Sequence, residues 1–144
     1  MKPRLALRIA SVLTLVHAAL HTVGGVFSKP DPGPAQTSVS AMQSNHFLVM
    51  GLTRTYSDFY LGLGLTVSIF LTAEAIVFWL LGNLAKSNPQ PLRPILAVFL
   101  LAYLALAVNS WFNFFMGPVV VEIVIAIFLG LAISTAKVPS VPGV

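Results

Sequence analysis

The chain contains no cysteine, and only 8% of its 144 residues carry a charge. The absence of cysteine excludes disulfides, Cys-x-x-Cys redox pairs, zinc sites with thiolate ligands, iron–sulfur clusters and cysteine nucleophiles. The scarcity of charge excludes an ordinary soluble domain, in which about a quarter of the residues are charged. Hydrophobic residues make up 57% of the sequence, so most of the surface must face something other than water. We therefore interpret the chain as an integral membrane protein.

Sequence motifs of well-known enzyme classes are also missing. The chain has no Walker loop, no dinucleotide-binding fingerprint, no His-Glu-x-x-His zinc motif and no Gly-x-Ser-x-Gly nucleophile elbow. Enzyme classes that carry these motifs are therefore not supported, and the sequence identifies neither a catalytic residue nor a cofactor. The net charge of +4 does not indicate a nucleic-acid partner, because the basic residues flank apolar stretches.

Four apolar stretches are long enough to cross a membrane, which takes roughly 20 mostly apolar residues in a helix. They cover about residues 5–27, 59–84, 95–115 and 119–136. Only Met116-Gly117-Pro118 separates the last two stretches, which predicts that they form an antiparallel pair. We predict an all-α fold with a single transmembrane domain, a four-helix bundle that ends in a frayed tail at 138–144.

The basic residues predict the orientation, because Lys and Arg accumulate on the cytoplasmic side of membrane proteins. Six of the eight lie beside the two termini or between the second and third stretches, namely Lys2, Arg4, Arg8, Lys86, Arg93 and Lys137. Both termini are therefore predicted to be cytoplasmic. A cleaved signal peptide is the alternative for the first stretch, but His17 and His21 interrupt it and no small-x-small site follows it.

Residues 28–58 form the long outer loop between the first two predicted helices. The run from Lys29 to Pro34 holds three prolines, which disfavour a helix. From Thr37 onward, helical spacing predicts a helix with a break at Gly51, carried by Met42, His46, Val49, Thr53, Tyr56 and Tyr60. We interpret this loop as a lid over the outer end of the bundle.

Each predicted span has one face of small and polar residues. In hydrocarbon such faces turn toward neighbouring helices, because small residues allow close approach and polar residues find hydrogen bonds there. The four faces are Ala10, Thr14, His17, His21 and Gly24; Gly64, Ser68, Thr72, Ala75 and Trp79; Ala102, Ala105, Asn109 and Asn113; and Glu122, Ala126, Gly130 and Ser134. We predict that these faces line the interior of the bundle.

Ionisable and amide side chains converge on the predicted outer end. We predict a ligand-binding site there, with the candidates His17, His21, Tyr56, Asn109, Asn113 and Glu122. The two histidines lie one helical turn apart, which leaves interhelical hydrogen bonds, an organic ligand and a metal ion as interpretations. A metal ion needs a third ligand, for which Glu122 and His46 are the strong candidates. We predict no metal site.

Three further residues are predicted to have structural or oligomer-contact roles. Glu74 lies in the inner half of the second span, where a charge costs about 2.5–3.5 kcal/mol on insertion scales. A protonated carboxyl there could bond to a carbonyl or to a second subunit, and proton or ligand handling is the alternative. Arg54 and Asp58 are spaced as an i and i+4 ion pair that would position the start of the second span.

Two segments carry a resemblance to a known family. His21-Thr22-Val23-Gly24-Gly25 ends the first span, and Arg54-Thr55-Tyr56-Ser57-Asp58-Phe59-Tyr60-Leu61-Gly62-Leu63-Gly64 enters the second. Together they resemble a family of small, uncharacterised bacterial membrane proteins with four transmembrane helices, in which an aromatic residue often replaces Ser57. The resemblance covers the first two spans and implies a bacterial inner membrane, but no activity. Similarity to DoxX-type four-span proteins is looser and rests on hydropathy.

Two functions from different classes follow from these observations. The leading one is a non-catalytic membrane protein that binds a lipid-like or quinone-like ligand at the outer end, or serves as an accessory subunit. The alternative is a small intramembrane isomerase or oxidoreductase on a lipid-like substrate, in which a histidine and Glu122 exchange a proton. A transporter comes third, since four helices leave little room for a pathway without an oligomer. The predicted partners are the lipid bilayer and, in addition, a homo-oligomer or a larger membrane complex.

Overall fold

Helices dominate the computed structural model, which describes residues 1–136. The predicted frayed tail at 138–144 lies outside the described residues. The α-helices, in chain order, are α1 (Pro3–Leu20), α2 (Pro34–Ser44), α3 (Tyr56–Leu84), α4 (Arg93–Asn113) and α5 (Met116–Thr135). The shorter elements are a π-helical turn (His21–Val26), strands β1 (His46–Val49) and β2 (Leu52–Thr55), and a 3₁₀ turn (Gln90–Leu92).

Four helical segments in the described part of the chain are long and apolar enough to cross a membrane. They are Pro3–Val26, Tyr56–Leu84, Gln90–Asn113 and Met116–Thr135, which confirms the predicted number of spans. The chain is therefore an integral membrane protein. Each helix begins a few residues before the apolar stretch that predicted it, because proline and polar residues fit the first helical turn. The turn between α4 and α5 is accordingly Phe114-Phe115, and the predicted turn residues Met116 to Pro118 begin α5.

The loop between α1 and α3 contains a β-hairpin that the sequence analysis did not predict. α2 confirms a helix after Thr37, and it starts earlier because Pro34 fits its first position. The predicted continuation of that helix was wrong, since β1 pairs antiparallel with β2, with His46 opposite Thr55. The turn between the strands places Met50 at φ 49° and Gly51 at φ 83°. Two successive positive φ angles are typical of the turns that match the twist of paired strands, and glycine adopts them without strain.

The start of α3 is fixed by a reciprocal pair of hydrogen bonds. The backbone N–H of Thr55 donates to Oδ2 of Asp58 at 2.8 Å, and the N–H of Asp58 donates to Oγ1 of Thr55 at 3.1 Å. This arrangement is a capping box, which satisfies amides that the first helical turn leaves without partners. It ends β2 at Thr55 and begins the helix at Tyr56, before the predicted start at residue 59.

The chain forms two compact units. The first, which we call the core unit, comprises Met1–His17 and the described residues from Leu71 onward; the second, the loop unit, comprises Ala18–Phe70. In the loop unit, the ring of Phe47 in β1 packs against Tyr56 at a centroid distance of 4.8 Å and against Phe59 at 5.7 Å. These aromatic contacts attach the β-hairpin to the first turn of α3.

The interior of the core unit combines small residues of α1 and α5 with aromatic residues of α3 and α4. Phe78 and Tyr103 are fully buried, and Phe78 meets the edge of Phe99 at a centroid distance of 5.0 Å. The small buried residues around them are Ala6, Ala10, Ala126 and Ala132. The small residues leave space that the large rings fill, so this part of the core is closely packed by apolar groups.

The predicted inward faces are wrong on α4 and confirmed only in part on the other three spans, where Gly24, Thr72, Trp79 and Ser134 are exposed. Thr14 and Glu122 are buried as expected, whereas the predicted face of α4 is exposed, with Ala102, Ala105, Asn109 and Asn113. α4 instead buries Leu96, Tyr103, Ala107 and Ser110. The rule that small residues turn inward fails on this helix because Tyr103 fills the space left by the alanines of its neighbours.

At the end of the core unit where α1 begins, a basic side chain is held by α3. The guanidinium carbon of Arg8 lies 3.1 Å from the centroid of the Trp79 ring. Its Nη2 donates to Oδ1 of Asn83 at 2.7 Å. A cation over an aromatic face and a charge-assisted hydrogen bond together fix the register of α1 against α3 in this unit.

Candidate functional site

The predicted ligand residues fall into both units of the chain. His17, Asn109, Asn113 and Glu122 belong to the core unit, and His21 and Tyr56 belong to the loop unit. Each unit is therefore described by itself, and the single outer site formed by all six residues stays a prediction.

A hydrogen-bonded line crosses the core unit from α1 to α3 by way of α4. Tyr103 is at the midpoint of α4 and has no exposed surface, and its hydroxyl donates to Oε2 of Glu74 at 2.8 Å. Oγ1 of Thr14, which is also fully buried, lies 3.3 Å from the same hydroxyl. We call these three residues, Thr14, Glu74 and Tyr103, the tyrosine cluster.

Tyr103 was missed by the sequence analysis, although a signal for it exists. A tyrosine in the middle of an apolar span must bury its hydroxyl, and a buried hydroxyl normally finds a hydrogen-bond partner. The search for small and polar residues passed over it because its ring resembles the neighbouring apolar side chains. Glu74, for which a structural or oligomer-contact role was predicted, is that partner.

The second carboxyl of the core unit is more deeply enclosed. Glu122 of α5 is 4% exposed, and Oγ of Ser110 in α4 donates to its Oε1 at 3.0 Å. Its Oε2 is buried and has no hydrogen-bond partner among the described residues. Because an unsatisfied buried acceptor costs about 1–3 kcal/mol, this oxygen is a position where a bound donor would stabilise the protein. Ser110 was not predicted, since no face of small and polar residues on α4 included it.

An apolar groove lies along the same part of α4 and α5. Its volume is about 330 Å³, and its lining is Leu104, Ala107, Val108, Trp111, Phe112, Val119 and Ile123. Val119 and Ile123 flank Glu122 along α5, and Ala107 lies one turn before Ser110 on α4. The groove therefore lies beside the α4–α5 turn, and Glu122 is a sequence neighbour of its lining without belonging to it. Its volume is at the lower end of the range for small-molecule sites.

The two asparagines predicted for the site lie on the exposed side of α4. Nδ2 of Asn113 donates to the backbone oxygen of Asn109 at 3.0 Å and to its Oδ1 at 3.2 Å. Their bonds are therefore made within one helix, near its end.

In the loop unit, the motif His-Thr-x-Gly-Gly contacts the Gly-x-Gly segment of α3. Nε2 of His21 lies 3.1 Å from the backbone oxygen of Gly64. A carbonyl only accepts, so this nitrogen carries the hydrogen. Oγ1 of Thr22 donates to Oγ of Ser68 at 2.8 Å. His21 therefore makes the interhelical hydrogen bond that was one of its predicted roles.

The contact between the π-helical turn and α3 is close because Gly64 has no side chain. A Cβ built on Gly64 would lie 2.9 Å from Cγ2 of Val26, which is shorter than real Cβ contacts allow. Val26 belongs to the π-helical turn, where the N–H of Phe27 donates to the oxygen of Thr22 at 3.1 Å, five residues back. The wider turn and the glycine together bring the two segments of the resemblance into contact within the loop unit.

The remaining predicted residues have positioning roles in the loop unit. Asp58 forms the capping box, and Nη1 of Arg54 donates to the backbone oxygen of Thr53 at 3.0 Å. Tyr56 packs on Phe47 and is 60% exposed. Arg54 and Asp58 therefore act on the backbone at the start of α3, as positioning residues do. The ion pair predicted between them was wrong, since in the described residues each side chain bonds to another partner.

A metal site has no complete ligand set in the described chain. Residues 1–136 contain no group of three or more His, Asp or Glu side chains placed to hold a metal ion. The metal interpretation of the two histidines would therefore need a ligand from outside that part of the chain.

Comparison of the whole chain with known protein families, with functionally characterised proteins and with solved structures finds no match.

Proposed function

We propose that the chain is a non-catalytic membrane protein that binds a lipid-like or quinone-like ligand beside the α4–α5 turn. The observation that carries this proposal is the buried Oε2 of Glu122, which has no partner among the described residues. Ser110 holds the other oxygen and so orients the carboxyl group. A ligand hydroxyl or amine would supply the missing donor, and the apolar groove would receive the attached hydrocarbon.

The depth of Glu122 favours a ligand with a small polar head. Glu122 is the seventh residue of α5, which begins at Met116, so it lies about 9 Å along the helix axis from that end. A phospholipid headgroup stays at the membrane surface, whereas a single hydroxyl group, or the ring of a quinol with its two donor hydroxyls, can enter the hydrocarbon edge. The groove continues from this depth with apolar side chains only, which suits an isoprenoid or acyl tail.

The enzyme interpretation requires a histidine that exchanges a proton with Glu122. One ring nitrogen of His21 is already bonded to the backbone of Gly64. The alternative therefore depends on His17, and the binding interpretation needs neither histidine. We retain binding, or a role as an accessory subunit through the same groove, as the function that the geometry supports best.

We further infer that both termini lie in the cytoplasm of a bacterium with the chain in its inner membrane. The basic residues at the start of α1 and between α3 and α4 support this orientation. The absence of native cysteine makes the test direct, because Lys2→Cys and Gln43→Cys each give a single thiol. In intact cells, a membrane-impermeant maleimide should label Gln43→Cys and leave Lys2→Cys unlabelled; the reverse pattern would contradict the orientation.

Native mass spectrometry of the protein, gently extracted from its own membrane, tests the binding proposal. We expect a co-purifying small molecule in the wild type and a loss of roughly 10- to 150-fold in its affinity for Glu122→Leu, the equivalent of one hydrogen bond to a charged group. The same variant should unfold at a nearly unchanged temperature, because leucine removes the unsatisfied acceptor Oε2 and this gain offsets the lost bond from Ser110. Loss of ligand without loss of stability separates binding from folding.

The matched control is Glu74→Gln, which alters the other carboxyl of the core unit and should keep the ligand. A wild type that carries no small molecule, or a Glu122→Leu variant that carries as much as the wild type, would overturn the proposal. A co-purifying protein in place of a small molecule would favour the accessory-subunit role.

A further inference from the structure

Glu74 is a second carboxyl in the membrane, and the proposed ligand site does not use it. It lies ten residues before the end of α3 at Leu84, roughly 15 Å along the helix axis and thus near half the thickness of a hydrocarbon core. It is only partly buried, unlike Glu122. A partly exposed carboxyl at this depth is costly, which makes it a candidate for function rather than packing.

The tyrosine cluster can hydrogen-bond this carboxyl in both of its protonation states. When Glu74 is charged, Thr14 donates to Tyr103, and Tyr103 donates to Glu74, as the 2.8 Å contact indicates. When Glu74 is protonated, its O–H donates to Tyr103, and Tyr103 donates to Thr14 instead. The 3.3 Å contact between Thr14 and Tyr103 permits either direction. One proton is gained by Glu74, each hydroxyl keeps one proton, and no side chain has to move.

We propose that Glu74 is a reversible proton-binding site in the middle of the membrane, with Tyr103 and Thr14 as positioning residues. A carboxyl that only held α3 to α4 would need one bond direction. The fully buried Thr14 and Tyr103 instead supply an acceptor in one state and a donor in the other. Part of the surface of Glu74 is exposed, which is where it differs from the enclosed Glu122.

Other titratable groups surround the cluster in the core unit. On α5, Glu122 is buried in the same unit as Tyr103. On α1, His17 follows Thr14 by three residues, and Arg8 precedes it at the end where Trp79 and Asn83 hold it. Glu122→Leu therefore separates the two proposals. It should abolish ligand binding and keep the proton site at Glu74, so that either proposal can be refuted while the other stands.

Labelling with dicyclohexylcarbodiimide tests the proton site, because this hydrophobic reagent reacts with protonated carboxyls in an apolar environment. The full chain is placed in phosphatidylcholine vesicles, and mass spectrometry locates and quantifies the label as a function of pH. We expect label on Glu74, a sigmoidal loss of label as the pH rises, and no label at this position in Glu74→Gln. The chain has no thiol to compete for the reagent.

Two variants should shift the pH of half-labelling in opposite directions. Tyr103→Phe removes the donor to the charged form, so the midpoint should rise by about one pH unit or more. Thr14→Val removes the acceptor that Tyr103 needs when Glu74 is protonated, so the midpoint should fall by a smaller amount. Thr14→Ser keeps the hydroxyl and should restore the wild-type midpoint.

The matched control is Ser11→Ala. Ser11 of α1 donates to the backbone oxygen of Ala75, next to Glu74, at 2.6 Å and does not bond to Tyr103. Its loss should leave the midpoint unchanged. Label that does not depend on pH, label on Glu122 alone, or shifts of the same sign in Tyr103→Phe and Thr14→Val would each overturn the proposal, provided that circular dichroism shows folded variants.

Discussion

The contact between Gly64 and Val26 predicts opposite effects for two neighbouring glycine substitutions. An alanine Cβ at position 64 would lie 2.9 Å from Cγ2 of Val26, whereas one at position 62 would meet nothing within 4 Å. Alanine is favoured over glycine in a helix by up to about 1 kcal/mol, and both variants gain this term. Overpacking typically costs about 1–3 kcal/mol, and only Gly64→Ala pays it, because a β-branched valine cannot turn away without a change of rotamer. The two variants should therefore differ in free energy of unfolding by about 1–3 kcal/mol.

Unfolding by sodium dodecyl sulfate titration in mixed micelles, followed by circular dichroism, measures this difference. Gly62→Ala is the matched control on the same helix. The double variant Gly64→Ala with Val26→Ala removes the overlap and should regain most of the stability lost by Gly64→Ala. Equal stability of the two single glycine variants, or no recovery in the double variant, would refute the close approach of the π-helical turn to α3.

Three further substitutions test local features of the fold. Thr55→Ala should destabilise the start of α3 by about 1 kcal/mol, measured as faster amide hydrogen exchange at Asp58, because the cap is lost; exchange unchanged at that amide would contradict the capping box. Ser110→Ala should lower the free energy of unfolding by about 1–3 kcal/mol because it leaves the buried Glu122 with no donor, and an unchanged value would indicate another partner. Gly51→Val should unpair β1 and β2, since a β-branched residue resists the φ of 83° at the turn, and persistent protection of the strand amides would argue against this turn.

The spans were predictable because each follows from the length of an apolar stretch alone. The β-hairpin was not, because Met50-Gly51 lacks the Asn-Gly or Asp-Gly pair that marks such turns most strongly. In the sequence analysis, a helical spacing that included Val49 and Thr53 therefore outweighed the preference of these β-branched residues for strands. The structure resolves this competition through the pairing of β1 with β2, which joins residues three to nine positions apart and which the helical spacing does not reveal.

The chemistry of the candidate sites was predictable only in part. Glu74 and Glu122 stand out in any apolar stretch, so both were identified. Their partners Tyr103 and Ser110 depend on how α4 is rotated, and its rotation follows from packing against other helices rather than from its own pattern. The acceptor of His21 is a backbone oxygen, which every residue has, so no sequence pattern could have indicated Gly64.

The contact of Arg8 with Trp79 and Asn83 has a consequence for the order of biogenesis. Arg8 and Asn83 are 75 positions apart, so α1 leaves the ribosome well before its partner on α3 has been synthesised. Until then the guanidinium has only water and lipid phosphates as partners, and it holds the start of α1 at the membrane surface. The aromatic face and the amide reach it only when the second span enters the bilayer. The charge at the start of α1 thus acquires its protein partners only with the insertion of α3, and from then on it connects the two helices.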